Sequence, residues 1–185
     1  VDEKGNIVNG DQIMAICGTY LKAQGKLKND TIVATVMSNL GFFQMAEREG
    51  IQVPRTKVGD RYVLEKMLEE GDCLGGEQSG HVIFLEHNTT GDGLITALQL
   101  LSVMKHTGKP LSELAKVMTI LPQVVVNVPV DNERKYDYID DTEIMETIRK
   151  TERIFEDSGR VLIRPSGTEA MVRIMIEGQD LALMQ

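Results

Sequence analysis

Residues 31–37, Thr-Ile-Val-Ala-Thr-Val-Met, form an unbroken β-branched and apolar run. No other segment constrains the fold as tightly. It lacks strict apolar–polar alternation, so it predicts a strand covered on both faces. A helix is expected next, through Phe42, Phe43, Met45 and Ala46, ending before Gly50; Ile51-Gln52-Val53 then restarts an extended segment. Strand, helix, strand is the rhythm of an α/β layer built on a mainly parallel sheet. Upstream, Ile13, Ile16, Cys17, Tyr20 and Leu21 recur at spacings of three and four. They predict a helix over 12–24, capped by Asp11 and ended by Gly25. Residues 1–10 read as a strand end and a turn.

The rhythm continues with a helix expected over 61–70, whose apolar face carries Val63, Leu64, Met67 and Leu68. A glycine-rich turn over 75–80 leads to a strand over 81–85, and Thr89-Thr90-Gly91-Asp92-Gly93 introduces a helix over 93–106. Leu94, Ile95, Leu98, Leu101, Val103 and Met104 are its expected buried residues, and a shorter helix over 111–118 follows Pro110. Near Leu121-Pro122 the pattern changes. A β-branched run from Val124 to Val130, a charge-rich stretch, a helix over 141–155 and strands over 160–163 and 171–177 follow. The fold expected is a three-layer α/β domain with a mainly parallel mixed sheet over 11–120, then a smaller α+β domain over 121–185. A unit of the latter size is marginal alone.

Twenty Lys and Arg stand against 28 Asp and Glu, a formal net charge of -8 that argues against a nucleic-acid binder driven by backbone neutralisation. The absence of Trp leaves little material for stacking platforms. No run reaches 18 apolar residues and no basic segment leads into an apolar one, so neither a membrane span nor a signal peptide is expected. Cys17 and Cys73 form no CxxC pair; a zinc knuckle, a dithiol site and a disulfide framework are not expected, and a reducing cytoplasm is the default. The ten methionines read as flexible core filler. The chain opens at Val1 without an initiator Met, which fits excision from a longer protein.

Three segments could carry chemistry. In Arg164-Pro165-Ser166-Gly167-Thr168-Glu169, a tight turn can aim the Ser166 and Thr168 hydroxyls and several N–H groups at one point. Arg164 adds a planar fork suited to phosphate or carboxylate, and Arg173 could add a second. The same residues also suit a plain Pro/Gly hairpin with a solvated arginine. Gly75-Gly76-Glu77-Gln78-Ser79-Gly80-His81 offers an acceptor, a hydroxyl and a titratable ring, a set suited to a polyhydroxylated ligand. An ordinary β-turn with an exposed histidine is the other reading. Lys57-Val58-Gly59-Asp60-Arg61 could bind a ligand, or Asp60 could cap the following helix. Asp92 suits a helix start, and His87 and His106 look like surface residues. No cluster has metal-ligand spacing, and the P-loop and GxSxG patterns are absent.

With these residues in view, the chain resembles the C-terminal portion of the bacterial phosphoglucosamine mutase family, within the α-D-phosphohexomutase superfamily. The carrying segments are Thr35 to Gly41, Thr56 to Val63, Gly75 to His81, Thr90 to Gly93 and Arg164 to Glu169, in family order. The resemblance implies a four-domain enzyme that interconverts glucosamine 6-phosphate and glucosamine 1-phosphate in the cytoplasm, for amino-sugar metabolism and peptidoglycan precursor synthesis. A phosphoserine in the first domain gives and takes the phosphoryl group through a bisphosphorylated intermediate. Magnesium sits on an Asp-x-Asp-x-Asp-Arg loop of the second domain. Glu77 and Ser79 then match the sugar-binding loop, and His81 a histidine near the reacting hydroxyl. Lys57 and Gly59, Asp60 and Arg61 match a loop facing the cleft. Arg164, Ser166, Gly167 and Thr168 match the phosphate-binding loop, with Arg173 as a helper. Ala170 departs from the family, where many members carry proline; the turn is expected to loosen slightly. Residues 1–10 would be a remnant of the second domain's end. Neither the phosphoserine loop nor the metal loop occurs here, so this chain is expected to bind Mg2+ nowhere and to be inactive alone. Its implied partners are a phosphosugar and the missing N-terminal domains; a homodimer stays open. Phosphomannomutase or phosphoglucomutase activity, and a noncatalytic phosphosugar-binding module, are the competing readings.

Overall fold

A computed structural model describes residues 1–155 and 158–184. The chain divides into two compact units, Val1–Ile120 and Leu121–Gln185.

In the first unit the β-branched run supplies β1 (Val33–Thr35), which lies inside a four-stranded sheet of order β2-β1-β3-β4. Its partners β2 (Arg55–Thr56) and β3 (Leu74–Gly76) run parallel to it, and β4 (Val82–Phe84) closes the edge antiparallel to β3. The missing alternation has a direct cause. Ile32 and Ala34 join one core cluster with Met14, Phe42 and Leu74, while Val33 joins another with Val63, Met67 and Ile83. Helices α1 (Gly10–Ala23) and α2 (Leu40–Arg48) supply Met14 and Phe42 to the larger cluster, and α3 (Asp60–Glu70) supplies the other layer. Helices α4 (Gly93–Thr107) and α5 (Leu111–Leu114) complete the unit.

Several expectations need correction. The run over 31–37 gives a ladder of only three residues, with Thr31 bridging Gln52 outside it, because the chain turns at Ser38, whose N–H donates to Thr35 O. The partner strand lies at 55–56, not 51–53; Pro54 has no N–H and interrupts the pairing. Helix α1 is capped by Asn9, one residue before Gly10, in a reciprocal box with Gln12 (3.1 and 3.2 Å). Asp11, expected to be the cap, sits within the first turn, fully buried, and its Oδ2 accepts the N–H of Asn39, the cap of α2, at 2.7 Å. On α4, Leu94, Leu98 and Leu101 are exposed, and Thr96 and Val103 are the buried residues. That helix is apolar almost all round, so periodicity alone could not select its inner face. Leu68 is likewise exposed on α3. The helix expected over 111–118 is α5 followed by a 3₁₀ turn at Ala115–Val117. Cys17 and Cys73 are buried and free, and desolvation pushes the Cys17 thiol up to about 12.

The second unit is an antiparallel sheet of order β5-β7-β6, made of β5 (Gln123–Pro129), β6 (Gly159–Pro165) and β7 (Met171–Gly178). The amphipathic helix α6 (Thr142–Phe155) contacts β6, and the short α7 (Leu181–Met184) contacts β7 and β5. The chain thus has the expected class, a mixed, mostly parallel α/β unit followed by a smaller α+β unit.

Candidate functional site

The parallel strands of the first unit deliver two of the candidate loops to the same edge. Residues 57–59 follow β2 and residues 77–81 follow β3, and ligands of open α/β sheets bind outside such carboxyl ends. The loops are joined: Oε1 of Glu77 accepts the N–H of Gly59 at 3.0 Å. Gly59 needs its glycine for a φ of 129°.

Gly75 and Gly76 belong to strand β3 and are buried, so the turn itself starts at Glu77. Glu77 N–H donates to His81 O and Gly80 N–H donates to Glu77 O, at 2.9 and 3.0 Å. The start of α1 supports this turn, since Gly10 N–H donates to Gln78 O at 3.0 Å. A Cβ on Gly10 would fall 2.1 Å from the Glu77 carbonyl oxygen, so only glycine allows the approach. Ser79 and His81 are exposed, and the His81 ring packs over Gly91, where a Cβ would lie 2.7 Å from Cδ2.

The remaining expected residues fall in mixed places. Lys57 is exposed. Asp60 is not the cap of α3; Gly59 is, and Asp60 Oδ1 accepts the N–H of Arg61 at 2.9 Å. Arg61 lies along α3, its Nε 2.7 Å from Glu65 Oε1, and this hydrogen-bonded pair raises the guanidinium's pKa. Asp92 caps α4 by accepting the N–H groups of Leu94 and Ile95, both at 2.9 Å. The Ile95 N–H leads the interactions that hold its carboxyl below the ordinary value, with Asn88 and the Leu94 N–H adding to it against some desolvation.

In the second unit, strand pairing sets the charges. Arg160 stands opposite Glu177, which is fully buried, and their side chains meet at 2.6 Å. Four residues on, Arg164 stands opposite Arg173 instead. Burial, and then repulsion from Arg173, pull the Arg164 guanidinium below its usual pKa. Arg173 reaches Glu169 through Nη2 at 2.6 Å, while its Nε is buried without a hydrogen-bond partner among the described residues. Between these strands the turn is tied by Ser166 N–H to Met171 O, Met171 N–H to Glu169 O and Glu169 N–H to Ser166 Oγ. The exposed N–H groups of Gly167 and Thr168 have no partner among the described residues.

Lys135 was not anticipated. It is 7% exposed, and its Nζ donates to Ser166 O at 2.7 Å. It lies in the charge-rich stretch after β5, and no local pattern separates it from its neighbours. Glu169, the carboxylate on Arg173, also went unassigned as a site residue.

The first unit therefore offers a carboxylate, a hydroxyl and an imidazole around one turn, suited to hydroxyl groups. The second offers an arginine pair and free N–H groups around another turn, suited to an anion such as a phosphate ester. Among the described residues no group of three or more His, Cys, Asp or Glu could hold a metal ion, and no helix is long and apolar enough to cross a membrane.

Residues 9–120 match the family described as phosphoglucomutase/phosphomannomutase, alpha/beta/alpha domain III, and residues 125–185 match its C-terminal domain. The chain belongs to the phosphoglucomutase/phosphomannomutase family. Among curated relatives, the phosphoglucosamine mutase of Acetivibrio thermocellus is 65% identical over 180 residues, 97% of this chain and 40% of that protein. That of Ruminiclostridium cellulolyticum is 64% identical over the same shares. This chain thus spans about 40% of the length of these relatives. An N-acetylphosphoglucosamine mutase of Aspergillus fumigatus, solved with GlcNAc-6P and magnesium, shares the fold at a TM-score of 0.77 and 17% identity, over 97% of this chain and 42% of that one. Another structure of the Aspergillus fumigatus enzyme reaches a TM-score of 0.79 at 19% identity, over 96% of this chain and 41% of that one.

Proposed function

We propose that this chain is the part of a phosphoglucosamine mutase that grips the sugar and the non-reacting phosphate. In this reading the whole protein interconverts glucosamine 6-phosphate and glucosamine 1-phosphate in the cytoplasm. A phosphoserine gives its phosphoryl group to the free sugar hydroxyl, the bisphosphate turns over, and the other phosphoryl group returns to the serine. Glu77 and Ser79 read ring hydroxyls, His81 takes or gives the proton of the reacting hydroxyl, and Lys57 with the Gly59–Arg61 loop lines the approach. Arg61 must first leave Glu65, an exposed pair that resists little. Arg164, Arg173, Ser166, Gly167 and Thr168 hold the distal phosphate, which aligns the reacting end. Because both phosphate positions occupy this clamp in turn, it recognises a dianion rather than one isomer.

One observation carries the reading: a buried Arg173 Nε without a partner, beside an Arg164 that faces another cation where Arg160 faces a carboxylate. Two guanidinium groups there share one carboxylate, Glu169, so the pair is short of negative charge. The amino sugar is supported by the names of the relatives at 64–65% identity. Magnesium, when bound, would neutralise charge on the transferring phosphoryl group; no residue of this chain is assigned to it. The partners in this reading are the phosphosugar and the remaining domains of the same polypeptide, and nothing in it requires a second copy.

The test compares turnover of glucosamine, glucose and mannose phosphates by the full-length protein. The highest kcat/KM is expected for the glucosamine phosphates. Preference for glucose or mannose phosphates would move the reading to phosphoglucomutase or phosphomannomutase, and no turnover of any would leave a binding module.

A further inference from the structure

We propose that Lys135 is a positioning residue for the phosphate turn, anchoring the Ser166–Gly167 peptide from behind so that the Gly167 N–H faces the phosphate. The inference rests on the reading of the second unit as a phosphate clamp. Three observations carry it. First, Lys135 is buried to 7% exposure, and the only partner of its ammonium among the described residues is Ser166 O at 2.7 Å. Lys135 lines a groove with the apolar Val130, Ala170 and Ile163 and with the carboxylates Asp131, Asp137 and Glu143, yet it forms no ion pair with any carboxylate among the described residues. A buried cation whose hydrogen-bond partner is a carbonyl is thus committed to that peptide.

Second, the Ser166–Gly167 peptide is trans, so its C=O and N–H point in opposite directions. Holding the carbonyl on the Lys135 side fixes the Gly167 N–H on the other side, where it has no partner among the described residues. The ammonium also polarises that peptide and strengthens its N–H as a donor. Third, the other anchors of Ser166 are taken: its N–H donates to Met171 O and its Oγ accepts the Glu169 N–H, which leaves the hydroxyl proton for the phosphate. Lys135 is thus the remaining tether of the turn's first residue.

The test is an NMR titration of the ¹⁵N-labelled 185-residue chain with inorganic phosphate. The wild type is expected to show saturable shifts at the Gly167 and Thr168 amides. Lys135→Met should weaken phosphate on the order of tenfold and move the Gly167 amide resonance before any phosphate is added. Lys135→Arg should restore most of the affinity. A folded Lys135→Met with wild-type affinity and an unmoved Gly167 amide would overturn the proposal. If Lys135→Met fails to fold, Lys135→Gln replaces it: a donor without charge that binds phosphate as the wild type does overturns the proposal equally, and weakened binding supports it. Absence of saturable shifts in the wild type would instead defeat the clamp reading itself.

Discussion

A polypeptide of these 185 residues is expected to give no magnesium-dependent mutase turnover in a coupled assay of glucosamine 6-phosphate, under conditions where a full-length phosphoglucosamine mutase turns over readily. The reason is chemical. Phosphoryl transfer needs a phosphorylated donor and a concentration of positive charge on the moving group. The resemblance assigns the first to a phosphoserine loop and the second to an Asp-x-Asp-x-Asp-Arg loop, and neither occurs in this sequence. Among the described residues no metal-holding cluster replaces the latter. What the chain does contain are groups suited to binding: a carboxylate, hydroxyls, an imidazole and guanidinium groups on turns. Binding alone leaves an uncatalysed phosphate-ester barrier almost untouched, and for such reactions enzymes supply accelerations of up to about 10²¹. Robust magnesium-dependent turnover by the isolated chain would contradict this account.

Replacing Arg164 by Ala in the full-length protein should lower kcat/KM for glucosamine phosphates by about 100-fold or more, the scale of two charge-assisted hydrogen bonds to a phosphate. Arg173→Ala should cost less, because Glu169 already shares that guanidinium at 2.6 Å, whereas Arg164 faces only Arg173 across the strand pair. Stability should suffer less. Burial and a neighbouring cation hold the Arg164 pKa below its unfolded value, so at neutral pH its charge opposes folding, and losing it offsets part of the packing that Arg164→Ala removes. Lys at position 164 should recover only part of the activity, since it keeps the charge but loses the planar fork. Steady-state kinetics and thermal unfolding of the three variants check the ordering. Unchanged turnover by Arg164→Ala would remove the clamp.

Much of this arrangement is legible in sequence because it follows from local periodicity. The β-branched run around Val33 announces a strand buried on both faces, and the glycine-flanked Glu77 and Ser166 segments announce turns. Element ends were less legible, since they depend on which side chain wins a backbone group: Asn9 rather than Asp11 caps α1 because Gln12 reciprocates, which frees Asp11 to reach Asn39. The inner face of α4 could not be chosen from a nearly all-apolar pattern. Distant pairings were not legible at all. The hydrogen bond between Glu77 and Gly59 and that between Lys135 and Ser166 join residues 18 and 31 positions apart, and nothing in either segment points to the other.

The central claim of the proposal is that the Ser166 turn binds phosphate and the Glu77 turn reads sugar hydroxyls. The direct measurement is a titration of the ¹⁵N-labelled chain with glucosamine 6-phosphate, followed at every amide. The account expects saturable shifts at Gly167 and Thr168 in the second unit and at Gly59 and Glu77 to His81 in the first. Inorganic phosphate should move only Gly167 and Thr168. Saturation by glucosamine 6-phosphate with either turn unmoved would contradict it.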